Sequence, residues 1–78
     1  MLLPLTPAQC RAARDILNWT LEDLAHSAGV SIFTVRDFES AKRTPDQHTL
    51  RLMRRAFEGA GVEFSARDEG VRLAGGRR

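Results

Sequence analysis

The sequence predicts an all-α fold of four short helices in one compact domain, followed by a short C-terminal β-hairpin. The first observation is length, because 78 residues are enough for a single domain with a small core. The second is that apolar residues recur at helical spacing in four segments, each bounded by residues typical of helix ends. The third is that the last apolar residues alternate with period two, which is typical of strands.

The first helix is predicted over residues 7–17. Thr6 and Gln9 flank Pro7 in the pattern of a capping box, and proline suits the first helical position. Arg14 occupies a position on the apolar stripe where an apolar residue is expected. The stripe consists of Cys10, Ala13 and Leu17.

The second helix is predicted to begin after Thr20 and to end at Gly29. Thr20 is followed three residues later by Asp23, and the acids Glu22 and Asp23 complement the helix dipole in the first turn. Gly29 suits the left-handed conformation that ends many helices. The predicted buried face consists of Leu21, Leu24, Ala25 and Ala28.

A third helix is predicted over about residues 32–40, with Ser31 as its N-cap. Only Val30 separates this cap from Gly29, and two short helices joined so tightly form a helix-turn-helix. The residues predicted to lie on or beside its inner face are Val35, Phe38 and Glu39.

A basic connector, residues 41–45, precedes a fourth helix that ends before Gly61. Its N-cap is Asp46, or Thr44 if a capping box formed with Gln47 prevails. The predicted apolar stripe is Leu50, Met53, Phe57 and Ala60, and the predicted outer face is Arg51, Arg54 and Arg55.

The helical domain is therefore predicted over residues 1–61, the hairpin over 62–73 and a disordered tail over 74–78. An isolated two-stranded ribbon is marginally stable, so its apolar face either packs on the helices or forms a dimer contact. The predicted register pairs Val62 with Leu73, Glu63 with Arg72, and Phe64 with Val71.

Composition excludes several classes of protein. No apolar run approaches the ~18 residues that span a membrane, and "MLLPL" is too short for a signal peptide. A single cysteine, Cys10, permits no internal disulfide, and we expect a buried, inert thiol in a cytoplasmic protein. His26 and His48 have no Cys or carboxylate cluster at metal-ligand spacing, so no enzyme, cofactor or metal site is predicted.

Charge is unevenly distributed along the chain. The net charge is +2, but residues 1–40 contain three basic and five acidic residues, whereas residues 41–78 contain nine and five. Eleven of the twelve basic residues are arginines, which suit bidentate contacts to phosphates and bases. The alternative is a solvated, arginine-rich surface.

The stretch that begins "WTLEDLAHSAGVSIFTVRDFES" resembles the lambda-repressor-like, Xre/Cro-type family of bacterial and phage regulators, over about residues 7–64. This resemblance implies a helical bundle whose third helix enters the DNA major groove, while the second helix abuts the phosphate backbone. The matching residues are Thr20, Leu24, Ala25, Gly29, Val30, Ser31, Thr34, Val35, Phe38, Glu39, Arg43 and Pro45.

The resemblance also implies roles for individual residues. Arg14 and Glu39 match a buried ion pair found in several members; the alternative is that Arg14 extends to water. The residues implied to face bases are Ser31, Ile32, Phe33, Arg36 and Asp37. The residues implied to touch phosphates are Thr20, Ser40, Lys42 and Arg43.

Three features depart from the family pattern. Leu21 stands where many members have Gln, and Ala41 where many have Gly, which predicts a different or strained turn after the third helix. Ile32 and Phe33 replace the polar or basic residues usual at the tip of the reading helix. Such side chains suit thymine methyl groups, while Arg36 suits a guanine edge or a phosphate.

The sequence therefore predicts a sequence-specific regulator that binds double-stranded DNA as a homodimer. The alternative is a protein-interaction module, such as the antitoxin of a toxin–antitoxin pair or an adaptor with little DNA affinity. An exposed Ile32-Phe33 pair rimmed by charge is also typical of a small interaction patch. A further alternative is that Phe33 packs sideways on the protein.

Overall fold

The computed structural model describes residues 3–65 and 70–74. Within these residues the chain forms four helices and a two-stranded antiparallel hairpin, which confirms the predicted fold class. The elements are α1 (Pro7–Leu17), α2 (Leu21–Ala28), α3 (Ile32–Glu39), α4 (Gln47–Gly59), β1 (Val62–Phe64) and β2 (Val71–Leu73). Residues 75–78 of the predicted disordered tail lie outside the described residues.

Each described helix begins at a side-chain cap. Thr6 and Thr20 each form a complete capping box with the residue three positions later. Ser31 accepts a hydrogen bond from a backbone N–H of the first turn of α3. Asp46 does the same for α4 at 2.8 Å, so Asp46 rather than Thr44 is the cap. These local bonds explain why the helices start where the sequence predicts.

The break between α2 and α3 occupies residues 29–31. Gly29 lies in the left-handed region with φ 72°, and its N–H donates to carbonyls of the last turn of α2. A residue with a Cβ atom is strained in this conformation, which explains the glycine. Val30 is half-buried and packs against the core, which holds the tight turn against the rest of the domain.

The core contains residues from α1, α2, α3, α4, β1 and the segment before α1. Leu5, for which no role was predicted, is fully buried. The prediction that Ala60 belongs to the α4 stripe is wrong: α4 ends at Gly59, and Ala60 is its exposed C-cap. The buried apolar residues are Leu5, Cys10, Ala13, Leu24, Ala25, Val35, Phe38, Leu50, Met53, Phe57 and Val62.

Arg54 was predicted to lie on the outer face of α4, but it is half-buried. Its Nη1 donates to the Pro4 carbonyl oxygen at 2.8 Å, and its guanidinium lies 4.8 Å from the centre of the Phe64 ring. Its Nε also donates to Glu58 one turn further along α4, at 2.9 Å. One side chain therefore ties the N-terminal segment and the hairpin to α4.

The hairpin has the register predicted from the sequence. Val62 is only 2% exposed, and the Phe64 ring meets the Phe57 ring edge-on at 6.1 Å. The inner face of the hairpin thus packs on the chain's own helices, which is one of the two alternatives predicted for it. Leu73 remains 45% exposed on β2.

Candidate nucleic-acid interface

One side of α3 faces solvent and contains the residues that the family resemblance assigns to base contacts. Phe33 is 62% exposed and Ile32 is 38% exposed, although both are large apolar residues. Ser31 and Arg36 are also exposed, and Asp37 is half-buried. Phe33 borders a groove that Pro45 and Thr49 also line, but more than half of its surface stays open to solvent.

Arg36 stacks on Phe33. The carbon at the centre of its guanidinium lies 5.0 Å from the centroid of the Phe33 ring, and the two residues are one helical turn apart. An exposed cation–π contact of this kind contributes about 0.5–1 kcal/mol. The guanidinium makes no hydrogen bond to another described residue, so its N–H groups are available to a ligand.

The connector folds back onto the end of α3. The Asp37 carbonyl oxygen accepts from the N–H groups of Lys42 and Arg43, at 2.8 and 3.2 Å, and from the Ser40 hydroxyl at 3.2 Å. Ala41 has φ 61°, a left-handed conformation that disfavours a residue with a Cβ by about 1 kcal/mol. This is the strained turn expected where many family members have glycine. Ser40, Lys42 and Arg43 are all exposed just beyond α3.

The start of α2 holds Thr20 in a reciprocal pair of bonds. Its hydroxyl accepts from the Asp23 N–H at 3.0 Å, and the Asp23 carboxylate accepts from the Thr20 N–H at 2.9 Å. The backbone N–H groups of Leu21 and Glu22 bond to no other described residue, as is usual in a first turn. These two N–H groups point outward from the helix start, but the carboxylates of Glu22 and Asp23 lie beside them.

Behind α3, Glu39 is buried and fully bonded. Two parallel hydrogen bonds join it to Arg14, from Nε to Oε2 at 2.6 Å and from Nη2 to Oε1 at 2.7 Å. Arg14 also donates to the Trp19 carbonyl oxygen at 2.9 Å, and the Cys10 thiol donates to Oε2 at 3.2 Å. Glu39 is only 7% exposed, so this network fixes the C-terminal end of α3 against α1.

The network raises the pKa of two of its members, Arg14 and Cys10. The hydrogen bond from Arg14 to Glu39 raises the pKa of the guanidinium, which therefore stays positively charged. Burial raises the pKa of the Cys10 thiol, and the hydrogen bond to Glu39 raises it further. Cys10 is therefore a protonated, buried thiol and is not a nucleophile at neutral pH.

Sequence reasoning assigned no role to Arg11. Its guanidinium donates to the backbone carbonyl oxygen of Glu39 at the end of α3. A groove of about 330 Å³ opens beside it, lined in part by Arg36 and Ser40. The spacing of three residues between Arg11 and Arg14 is the only signal in the sequence, because it places both on one face of α1.

The described residues were compared with two further kinds of feature, a cluster of metal ligands and a membrane-spanning helix. Among residues 3–65 and 70–74, no three His, Cys, Asp or Glu side chains are grouped so that they would hold a metal ion. His26 and His48 are both exposed. Within the same ranges, each helix is too short or too polar to cross a bilayer.

A family model described as helix-turn-helix, of the Cro/C1 type, matches residues 11–64. The match includes α2, α3, the connector and α4, and thus every residue for which a DNA contact is predicted. A search of curated proteins gives no significant match. The matched family consists of DNA-binding domains rather than enzymes. The chain belongs to the lambda-repressor-like helix-turn-helix family, whose members include the Xre- and Cro-type regulators.

Proposed function

We propose that the chain is a sequence-specific, cytoplasmic transcriptional regulator that inserts α3 into the major groove of double-stranded DNA. The observation that carries this proposal is the solvent-exposed side of α3, where Ile32, Phe33 and Arg36 project from a helix held in place at its other end. A helix of this size fits the major groove, where apolar side chains and arginine can read base edges. Family membership supports DNA binding, and the exposed side chains supply the base-reading groups.

The backbone contacts are proposed to come from both ends of the motif. Because Glu22 and Asp23 place negative charge beside the start of α2, we expect the larger share of phosphate binding from Lys42 and Arg43. These two cations lie just beyond the end of α3, where they would neutralise phosphates along the groove. The residues proposed to contact phosphates are Thr20, Ser40, Lys42 and Arg43.

The test is a titration of the full chain with a random duplex and with a duplex selected from a random pool, each at two salt concentrations. Arg36→Ala should weaken binding to the selected duplex by about 5- to 150-fold, the usual value of one arginine–guanine contact. Lys42→Ala should weaken both duplexes alike and lower the salt slope by about one.

The matched control is Arg55→Ala, which removes an exposed arginine from α4, on a different part of the molecule. It should leave the preference for the selected duplex unchanged. Failure of the unaltered protein to bind either duplex at low salt would contradict the proposal.

A single module has a small footprint on DNA, so we propose that the chain acts as a homodimer that reads half-sites about 34 Å apart. The inner face of the hairpin packs on the helices except at Leu73, which lies opposite Val62 on that face and remains exposed, so Leu73 is the candidate contact. Sedimentation of Leu73→Asp tests this, with Ser27→Asp on α2 as an equally charged control. A dimer that persists in Leu73→Asp would exclude the hairpin as the contact.

A protein-interaction module, such as an antitoxin or an adaptor, is the second candidate. The observation that favours it is the exposure of Phe33 beside Ile32, an apolar pair rimmed by charged side chains. This candidate predicts no DNA binding at low salt and loss of a protein partner on Phe33→Ala. The same titration therefore separates the two functions.

A further inference from the structure

We infer that Phe33 and Arg36 act as one reading unit that recognises a thymine methyl group and a guanine edge on adjacent base pairs. The inference rests on the proposed function and specifies which bases α3 selects. Its basis is the stacked contact between the two side chains, which are otherwise free of the protein's own interior.

The dimensions of the pair restrict how far apart its two targets lie. The guanidinium carbon is 5.0 Å from the ring centroid, and successive base pairs are separated by about 3.4 Å along the helix axis. If one base pair lay between the two targets, they would be about 6.8 Å apart along the axis, which exceeds the stacked distance. The stacked distance is therefore long enough for neighbouring base pairs and too short for targets with a base pair between them.

The chemistry of the two groups restricts which bases they select. In the major groove the thymine methyl group is the apolar mark, and an aromatic ring without polar atoms can gain only from that contact. Guanine presents O6 and N7, two acceptors that match the planar fork of arginine. Because the guanidinium is already ordered on the ring, less side-chain freedom is lost when it binds guanine.

One feature of the surroundings favours a base over a phosphate as the partner of Arg36. The half-buried Asp37 follows it directly in the chain, and its carboxylate has no hydrogen-bond partner among the described residues. This carboxylate repels a phosphate, which carries a full negative charge, more strongly than it repels the neutral acceptors of a guanine edge.

The experiment begins with selection of bound duplexes from a random pool by the full chain. The enriched site should contain a T·A pair next to a G·C pair. Replacement of that thymine by uracil deletes only the methyl group, and we expect affinity to fall about fourfold, which corresponds to one buried methyl. A duplex with cytosine at the same position should bind weakly, and a duplex with 5-methylcytosine there should recover part of the lost affinity.

The variants test whether the two side chains act together. Phe33→Ala should bind the thymine and uracil duplexes equally and should also lose part of its preference for the guanine, because Arg36 is no longer stacked. Arg36→Lys keeps the charge but lacks the planar fork, so it should lose guanine preference and retain methyl sensitivity. The control is Leu3→Ala, which shortens an exposed apolar side chain outside α3 and should change neither preference.

The outcomes separate this inference from the proposed function. Absence of any enriched sequence would overturn both. An enriched site to which the unaltered protein binds equally with thymine or uracil would overturn the paired reading unit alone. So would guanine preference that Phe33→Ala leaves intact, because the two contacts would then be independent.

Discussion

Helix α3 contains two phenylalanines in opposite environments. Phe38 is fully buried in the core, whereas Phe33 is 62% exposed and touches the guanidinium of Arg36. Five residues along an α-helix rotate a side chain by about 140°, so one ring faces inward and the other outward. Burial in the core is a sufficient reason for an aromatic residue at Phe38. Burial does not explain the aromatic residue at Phe33, so contact with an external partner is the simplest explanation for it.

The other end of α3 reverses this arrangement, because Glu39 is a charged residue that is buried. It has an internal partner, Arg14, and every buried side-chain polar atom among the described residues has a hydrogen bond. Glu39 and Phe33 both depart from the amphipathic pattern of α3, but for different reasons. Glu39 is satisfied within the chain, and Phe33 is available to a ligand.

Phe38→Ala should have the largest effect on stability. Truncation of a fully buried phenylalanine removes about 3–5 kcal/mol, which is a large share of the stability of a domain this small. Urea unfolding followed by circular dichroism measures the loss. Phe38→Leu, which keeps most of the volume, should lose less than about 1.5 kcal/mol and serves as the variant that still folds. A loss below about 1 kcal/mol for Phe38→Ala would contradict the comparison.

Glu39→Ala should follow, with a loss of about 3 kcal/mol, because the Arg14 guanidinium is left beside the core without its carboxylate. Glu63→Ala is the matched control: it breaks the exposed pair with Arg72, which contributes less than about 1 kcal/mol. Equal losses in the two variants, measured by urea unfolding, would show that burial adds nothing to the Arg14–Glu39 pair.

Local signals in the sequence were sufficient for the starts of α1, α2 and α3 and for the hairpin register, whereas the start of α4 stayed open between Thr44 and Asp46. The N-caps Thr6 and Thr20 depend on residues within three positions, and alternation fixes which strand residues share a face. Leu5 could not be predicted to be buried, because its position depends on the bond from Arg54 to the Pro4 carbonyl, 50 residues away in sequence. Ala60 fits the periodicity of α4, but the helix ends before it.

The candidate site shows the same division. Ile32 and Phe33 were identifiable because apolar residues on an outer helix face break the amphipathic pattern. The stacking of Arg36 on Phe33 was open to prediction from their spacing but depends on side-chain rotamers, which the sequence does not specify. The contact of Arg11 with Glu39 was not predicted, because the spacing of Arg11 and Arg14 shows that they share a face of α1 but not which residue lies against Arg11.

Substitution of Cys10 should have a smaller effect on stability, and this effect should depend on pH. Burial raises the pKa of its thiol above the ordinary value of 9.0, so the unfolded chain releases this proton before the folded chain does. Stability from this group is complete below pH 9.0 and falls above it, by about 1.4 kcal/mol per pH unit. Cys10→Ala should lose about 1 kcal/mol at neutral pH and show a shallower alkaline decline. Parallel stability curves for the two proteins above pH 9.0 would contradict the assignment.

Phe33→Ala should have the smallest effect on stability, about 0.5 kcal/mol or less, since only the stacking with Arg36 is lost. The same substitution should nevertheless lower affinity for the selected duplex, because the ring is placed for a ligand rather than for the core. Urea unfolding and a DNA titration on one preparation measure both quantities. A stability loss near that of Phe38→Ala would mean that the ring supports the fold. Unchanged stability together with unchanged affinity for DNA would mean that its exposure serves some other surface, which is the outcome that favours a protein partner.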